Sequence, residues 1–69
     1  MIEKVKEDIT RHMYKEVKVV SRENRNRNDI FYGNIVETYP HVFMVSNGQI
    51  KRSYSYADIL SRDITITFL

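Results

Sequence analysis

Between Gly33 and Tyr56 three runs rich in β-branched and aromatic residues are separated by two breaks, a spacing that suits consecutive antiparallel strands. The first run holds Ile35 and Val36 and ends near Tyr39-Pro40; the second reads Val42-Phe43-Met44-Val45. Pro40 cannot donate to a ladder, so it closes one strand or begins the next. Asn47-Gly48 then precedes Ser53-Tyr54-Ser55-Tyr56, and an Asn-Gly pair between such runs is the strongest short-range hairpin signal.

The remaining elements follow from periodicity. Ile2, Val5, Ile9 and Met13 are spaced for one stripe of a helix over about residues 2–13. A helix that short is marginal alone and must dock that stripe on the sheet. Strands are expected over about 15–21, 30–38, 41–46, 49–56 and 63–68. In the fourth, Ile50, Arg52, Tyr54 and Tyr56 share a face. Gly33 inside the second suggests a bulge or sharp bend, and Tyr56 to Leu60 reads as a single 3₁₀ or helical turn. Ile64, Thr65, Ile66, Thr67 and Phe68 alternate as a half-buried strand does. This order predicts a mainly β fold, a small five-stranded SH3-like (Sm-like) barrel with an N-terminal α-helix, since closing the sheet hides its edges. An open, curled sheet packed on the helix is the alternative.

With 69 residues the chain is one domain spanning 1–69. A chain this short buries only about 60% of its unfolded surface, and oligomerisation is a common way to add buried area. It has no cysteine, no apolar leader after its first residues and no stretch near the roughly 20 apolar residues of a membrane span, which together predict a cytoplasmic protein.

Function classes narrow by residue type. His12 and His41 stand far apart, each without a partner motif, and no Ser/His/Asp order, paired carboxylates or phosphate-cradling glycine loop occurs. No enzyme, no cofactor and no metal site are therefore expected. Charge points elsewhere. Residues 11–27 hold six basic residues against Glu16 and Glu23, 6 − 2 = +4, whereas the whole chain carries only +2. The run from Arg22 to Asp29 is polar throughout, an exposed loop or the distal tip of a long hairpin. Arg22, Arg25 and Arg27, with Lys18 and Lys15, are candidate contacts for nucleic acid or another anion. Tyr14, Phe31 and Tyr32 flank them, and aromatics interleaved with cations suit a single strand. The plainer reading of the same residues is a solvated loop beside a small core. Tyr39, Tyr54 and Tyr56 are candidate partner-contact aromatics, while Phe43 is expected inside. The partner is thus a protein, a nucleic acid or a second copy of the chain.

Two motifs carry a family resemblance. Glu37-Thr38-Tyr39-Pro40 followed by Val42-Phe43, and Tyr54-Ser55-Tyr56-Ala57-Asp58-Ile59-Leu60 before a β-rich C-terminus, resemble the Veg family of small bacterial proteins, over roughly residues 33–68. The resemblance implies an SH3-like barrel, no known catalytic activity, and a regulatory role linked to stimulating biofilm formation and to control of transcription. It carries over no catalytic or ligand-binding residue. Where that family usually has a glycine before the first strand, Tyr14 stands nearby; its glycine-rich basic loop is here Glu23-Asn24-Arg25-Asn26-Arg27, without glycine.

Overall fold

The computed structural model describes residues 2–24 and 27–69, without the side chains of residues 23, 24 and 27. Helix α1 (Ile2–Arg11) is followed by β1 (Glu16–Asn24), β2 (Arg27–Thr38), β3 (Val42–Ser46), β4 (Lys51–Ser55), the short helix α2 (Tyr56–Leu60) and β5 (Ile64–Phe68). All five strands form one antiparallel sheet in the order β4-β3-β2-β1-β5. The mainly β expectation holds, strand for strand. Closure does not: β4 and β5 are the two edges and no ladder joins them, so the expected barrel is a strongly curled open sheet. Helix α1 ends near Arg11, two residues short of its expected limit, and its last turn tightens through bonds from His12 N–H to the Ile9 carbonyl and from Met13 N–H to the Thr10 carbonyl.

Alternation decides the core. Val17 and Val19 of β1, Phe31 and Ile35 of β2, Phe43 and Val45 of β3, Tyr54 of β4 and Ile64 of β5 all point to the concave side. Ile9 of α1 and Tyr56 of α2 complete the cluster, and Val5, Met13, Ile59, Ile66 and Phe68 pack against it. The helix thus docks its apolar stripe as expected, its outer face carrying the Glu7–Arg11 pair at 3.5 Å. The His12 ring stacks on Phe68 with centroids 3.8 Å apart, which ties the end of α1 to β5.

Strand β2 serves both halves of the curl. Its first part pairs with β1 as far as Asn34, and from Asn34 onward it pairs with β3. The bulge expected at Gly33 is instead between Ile35 and Glu37. Gly33 pairs in regular register with Val17, and its lack of a side chain serves close approach, as argued below. The Asn47-Gly48 turn also forms one position off its expected place. Asn47 N–H bonds to the Ile50 carbonyl, so Gly48 and Gln49 are the central pair, with Gly48 at φ 95°. The Asn47 side-chain oxygen accepts from the N–H groups of Gln49 and Ile50, and strand β4 starts only at Lys51. Ser55 caps α2 by accepting from Ala57 N–H at 3.1 Å.

Tyr14 joins helix to sheet in a left-handed conformation, φ 65°. Its N–H bonds to the Ile35 carbonyl at 2.7 Å and its carbonyl accepts from the Asn34 amide at 3.1 Å, so the surrounding backbone imposes the angle. A side chain with a Cβ resists that region by roughly 1–2 kcal/mol. The ring is 73% exposed and little packing opposes its removal. Tyr14→Gly is therefore expected to stabilise the domain by about 0.5–1 kcal/mol after the extra unfolded-state entropy of glycine is subtracted. Thermal melting followed by circular dichroism checks it: a rise of roughly 2–8 °C is expected, and an unchanged or lower midpoint refutes the strain.

Candidate interaction surface

The convex face of the sheet is built by the residues that alternate with the core. On β1 these are Glu16, Lys18, Val20 and Arg22, so a carboxylate stands two residues before the first cation. Register places Lys18 between Thr67 of β5 and Tyr32 of β2, Val20 between Thr65 and Ile30, and Arg22 opposite Asn28. Tyr32 and Ile30 are 52% and 51% exposed, which is unusual for an aromatic and an aliphatic side chain side by side on a strand. Lys18 and Arg22 stand about 13 Å apart along the strand, four residues at about 3.3 Å each. The face thus offers a cation toward either end, with Glu16 near Lys18 and Asp63 opposite Arg22, and a flat, partly apolar surface between. Lys15 precedes β1 and is exposed beside Tyr14, off the alternation that aligns Lys18 with Arg22. Arg25 and the side chain of Arg27 lie outside the described residues; the backbone of Arg27 opens β2 opposite Asn24.

The aromatic candidates separate. Tyr54 is 7% exposed and Tyr56 is fully buried, each stacked or tilted against Phe43. Both belong to the core and offer no partner a surface, which corrects the expectation for them. Their hydroxyls are buried without a partner in hydrogen-bond geometry; that of Tyr54 lies beside Arg52 and Ser21, that of Tyr56 beside the Tyr39 backbone. Burial pushes both hydroxyls above the ordinary tyrosine value. The exposed aromatics are Tyr14, Tyr32 and Tyr39.

Tyr39 is exposed, but its hydroxyl is engaged. It donates to Glu37, whose other carboxylate oxygen takes Lys51 Nζ at 2.7 Å. The Lys51 ammonium, then the Tyr39 hydroxyl, hold the Glu37 carboxyl below its usual value, and Glu37 in turn raises both partners. This triad clips β2 to β4 across β3 on the convex side.

A second polar cluster was not legible as a unit in the sequence. Arg52 turns inward from β4, pairs with Asp29 of β2 and lays its guanidinium 4.7 Å from the centre of the Phe31 ring. The signal was Arg52 sharing a strand face with Tyr54 and Tyr56, since an inward cation requires a carboxylate partner. Asp29, taken with the polar run before it, supplies that partner. The cluster borders the core at Phe31 and is structural in what it touches.

Among the described residues no three His, Cys, Asp or Glu side chains are grouped so as to hold a metal ion. Among the described residues no helix is long and apolar enough to cross a membrane. No curated protein sequence matches the chain. A family described as "Biofilm formation stimulator VEG" matches residues 1–67, extending the likeness back from the two central motifs through β1 and α1.

Proposed function

Because the chain belongs to the VEG family of biofilm formation stimulators, we propose that it works by binding and not by turnover, as a cytoplasmic regulator of transcription whose convex β1–β2 face contacts single-stranded nucleic acid. The observation that supports this is one alignment: Lys18 and Arg22 share a face with the exposed Tyr32 and Ile30. Cations there meet phosphates, and the Tyr32 ring offers a base a stacking platform. Lys15, Arg25 and Arg27 add to the same positive field along the chain, +4 over residues 11–27.

The test is fluorescence anisotropy with a labelled single-stranded oligonucleotide at increasing salt. Binding is expected to weaken steeply, with a log–log slope of about −2 to −3 for three or four phosphate contacts on a single strand. Lys18→Ala with Arg22→Ala is expected to lower low-salt affinity about tenfold or more, and Arg25→Ala with Arg27→Ala to lower it further. Tyr32→Ala removes a stacking contact and is expected to cost about 1–3 kcal/mol on single strands. A flat titration at low salt, or binding indifferent to Lys18 and Arg22, refutes the reading.

A further inference from the structure

Strand β5 has one bare flank. Arg22 N–H bonds to the Asp63 carbonyl at 2.9 Å and Leu69 N–H to the Glu16 carbonyl at 3.1 Å, at the two ends of the β1–β5 ladder. Antiparallel bonding alternates, so residues 63, 65, 67 and 69 face β1 and the N–H and C=O groups of Ile64, Ile66 and Phe68 face away. Among the described residues no backbone group bonds to those of Ile64, Ile66 and Phe68. Exposed edges are normally blunted by charge, proline or a bulge. Edge β4 carries Lys51 and Arg52; Ile64-Thr65-Ile66-Thr67-Phe68 has none of these devices.

We propose that this edge pairs with the same edge of a second copy of the chain, antiparallel about a two-fold axis at Ile66. Bonds can form only between residues whose polar groups point outward, and among the registers this allows the one that makes the most bonds pairs Ile64 with the partner's Phe68, Ile66 with the partner's Ile66, and Phe68 with the partner's Ile64. Each pair exchanges two bonds, 3 × 2 = 6 in all. The same register sets core-side residues opposite core-side residues and exposed Thr65 opposite the partner's Thr67 on the convex face, a favourable cross-strand pair. A slip of one residue sets each outward group opposite a partner residue whose own groups face its β1, and loses every bond; a slip of two keeps only two of the three pairs.

Charge permits the meeting. Each copy carries +2, yet the five residues that touch carry no charge. The nearest cation on the convex face is Lys18, one strand inward. Lys18 and its counterpart stand three strand spacings apart, about 14 Å, beyond the Debye length of about 8 Å at physiological salt. The contact is small, at the low end of specific interfaces, so dissociation is expected on the order of tens to hundreds of micromolar. The resulting ten-stranded sheet does not depend on the nucleic-acid reading, and its test uses no nucleic acid.

Sedimentation equilibrium over a wide concentration range tests it. The mass is expected to rise from 8.3 kDa toward 2 × 8.3 = 16.6 kDa. Thr65→Glu with Thr67→Glu sets like charges opposite each other and is expected to leave an 8.3 kDa monomer at every concentration. Thr65→Lys with Thr67→Glu sets opposite charges across the axis and is expected to restore the dimer, at or above the wild-type affinity. Both positions are exposed, so the fold tolerates them. Amide exchange on the unmutated chain gives a second reading: protection at Ile66 rises with concentration, while that at Thr65 and Thr67 does not. A wild-type mass fixed at 8.3 kDa, a dicarboxylate variant that associates as well as wild type, or Ile66 protection independent of concentration overturns the proposal.

Discussion

Phe43→Ala is expected to cost about 3–5 kcal/mol and to leave the chain largely unfolded at 37 °C. Phe43 is fully buried near the start of β3, with the Tyr54 ring 5.8 Å and the Tyr56 ring 5.4 Å from its own. It is the shared member of that aromatic group and bridges β4 to α2. Its removal takes the apolar area of a whole ring out of the core and leaves a cavity between two side chains held by strand and helix backbone. Tyr54 and Tyr56 cannot collapse into it without moving β4 and α2 together. A domain of this size seldom has more than about 3–5 kcal/mol in total from a single core, so the loss matches the whole stability. Urea titration followed by far-ultraviolet circular dichroism measures it, the chain having no tryptophan. A midpoint shift equivalent to less than about 1 kcal/mol would mean that the aromatic group is not the centre of the core.

Gly33→Ala is expected to cost about 1–3 kcal/mol although it adds a single methyl group. A Cβ at Gly33 would sit 2.8 Å from the Ser46 carbonyl oxygen and 2.9 Å from a Val45 methyl. The valine methyl can swing aside; the carbonyl is main chain at the end of β3 and cannot move without shifting that strand. Gly33 stands one residue before Asn34, where β2 passes from its β1 ladder to its β3 ladder, so a side chain there would push the two halves of the curl apart at their closest approach. The substitution is expected to lower the urea midpoint and to speed amide exchange around Asn34 and Ser46, which pair across the same point. Gly33→Val should do more. An alanine variant as stable as wild type would show that β2 and β3 have room to part.

What the sequence discloses here is mostly one-dimensional. Alternation in Ile64 to Phe68, and the β-branched and aromatic run from Val42 to Val45, mark two strands to within a residue. The same rule puts Arg52, Tyr54 and Tyr56 on one face, yet does not say how deep that face lies. A tyrosine serves a core or a surface, and the choice was made by Phe43 on the neighbouring strand. Gly33 announces that something is special, but bulge, bend and close approach share one signature, and only the packing of Ser46 against it distinguishes them. Closure depends on the tilt between strands far apart in the chain, which no local pattern encodes. At the candidate surface, the cluster of cations is visible as composition. The alignment of Lys18 with Arg22 beside Tyr32 needed the β1–β2 register, which the polar run from Arg22 to Asp29 did not fix.

Three of the four ladders join strands adjacent in sequence, but the fourth sets Val17 against Phe68, 68 − 17 = 51 residues later. During synthesis β1 must therefore wait for β5, roughly 3–10 s at about 5–20 residues per second. Through that interval a nascent chain presents a second bare flank, on β1, beside Val17 and Val19 before their side chains are sealed. That window is when this protein is most open to capture by chaperones or to aggregation on a polysome, and translation pauses before Ile64 would lengthen it.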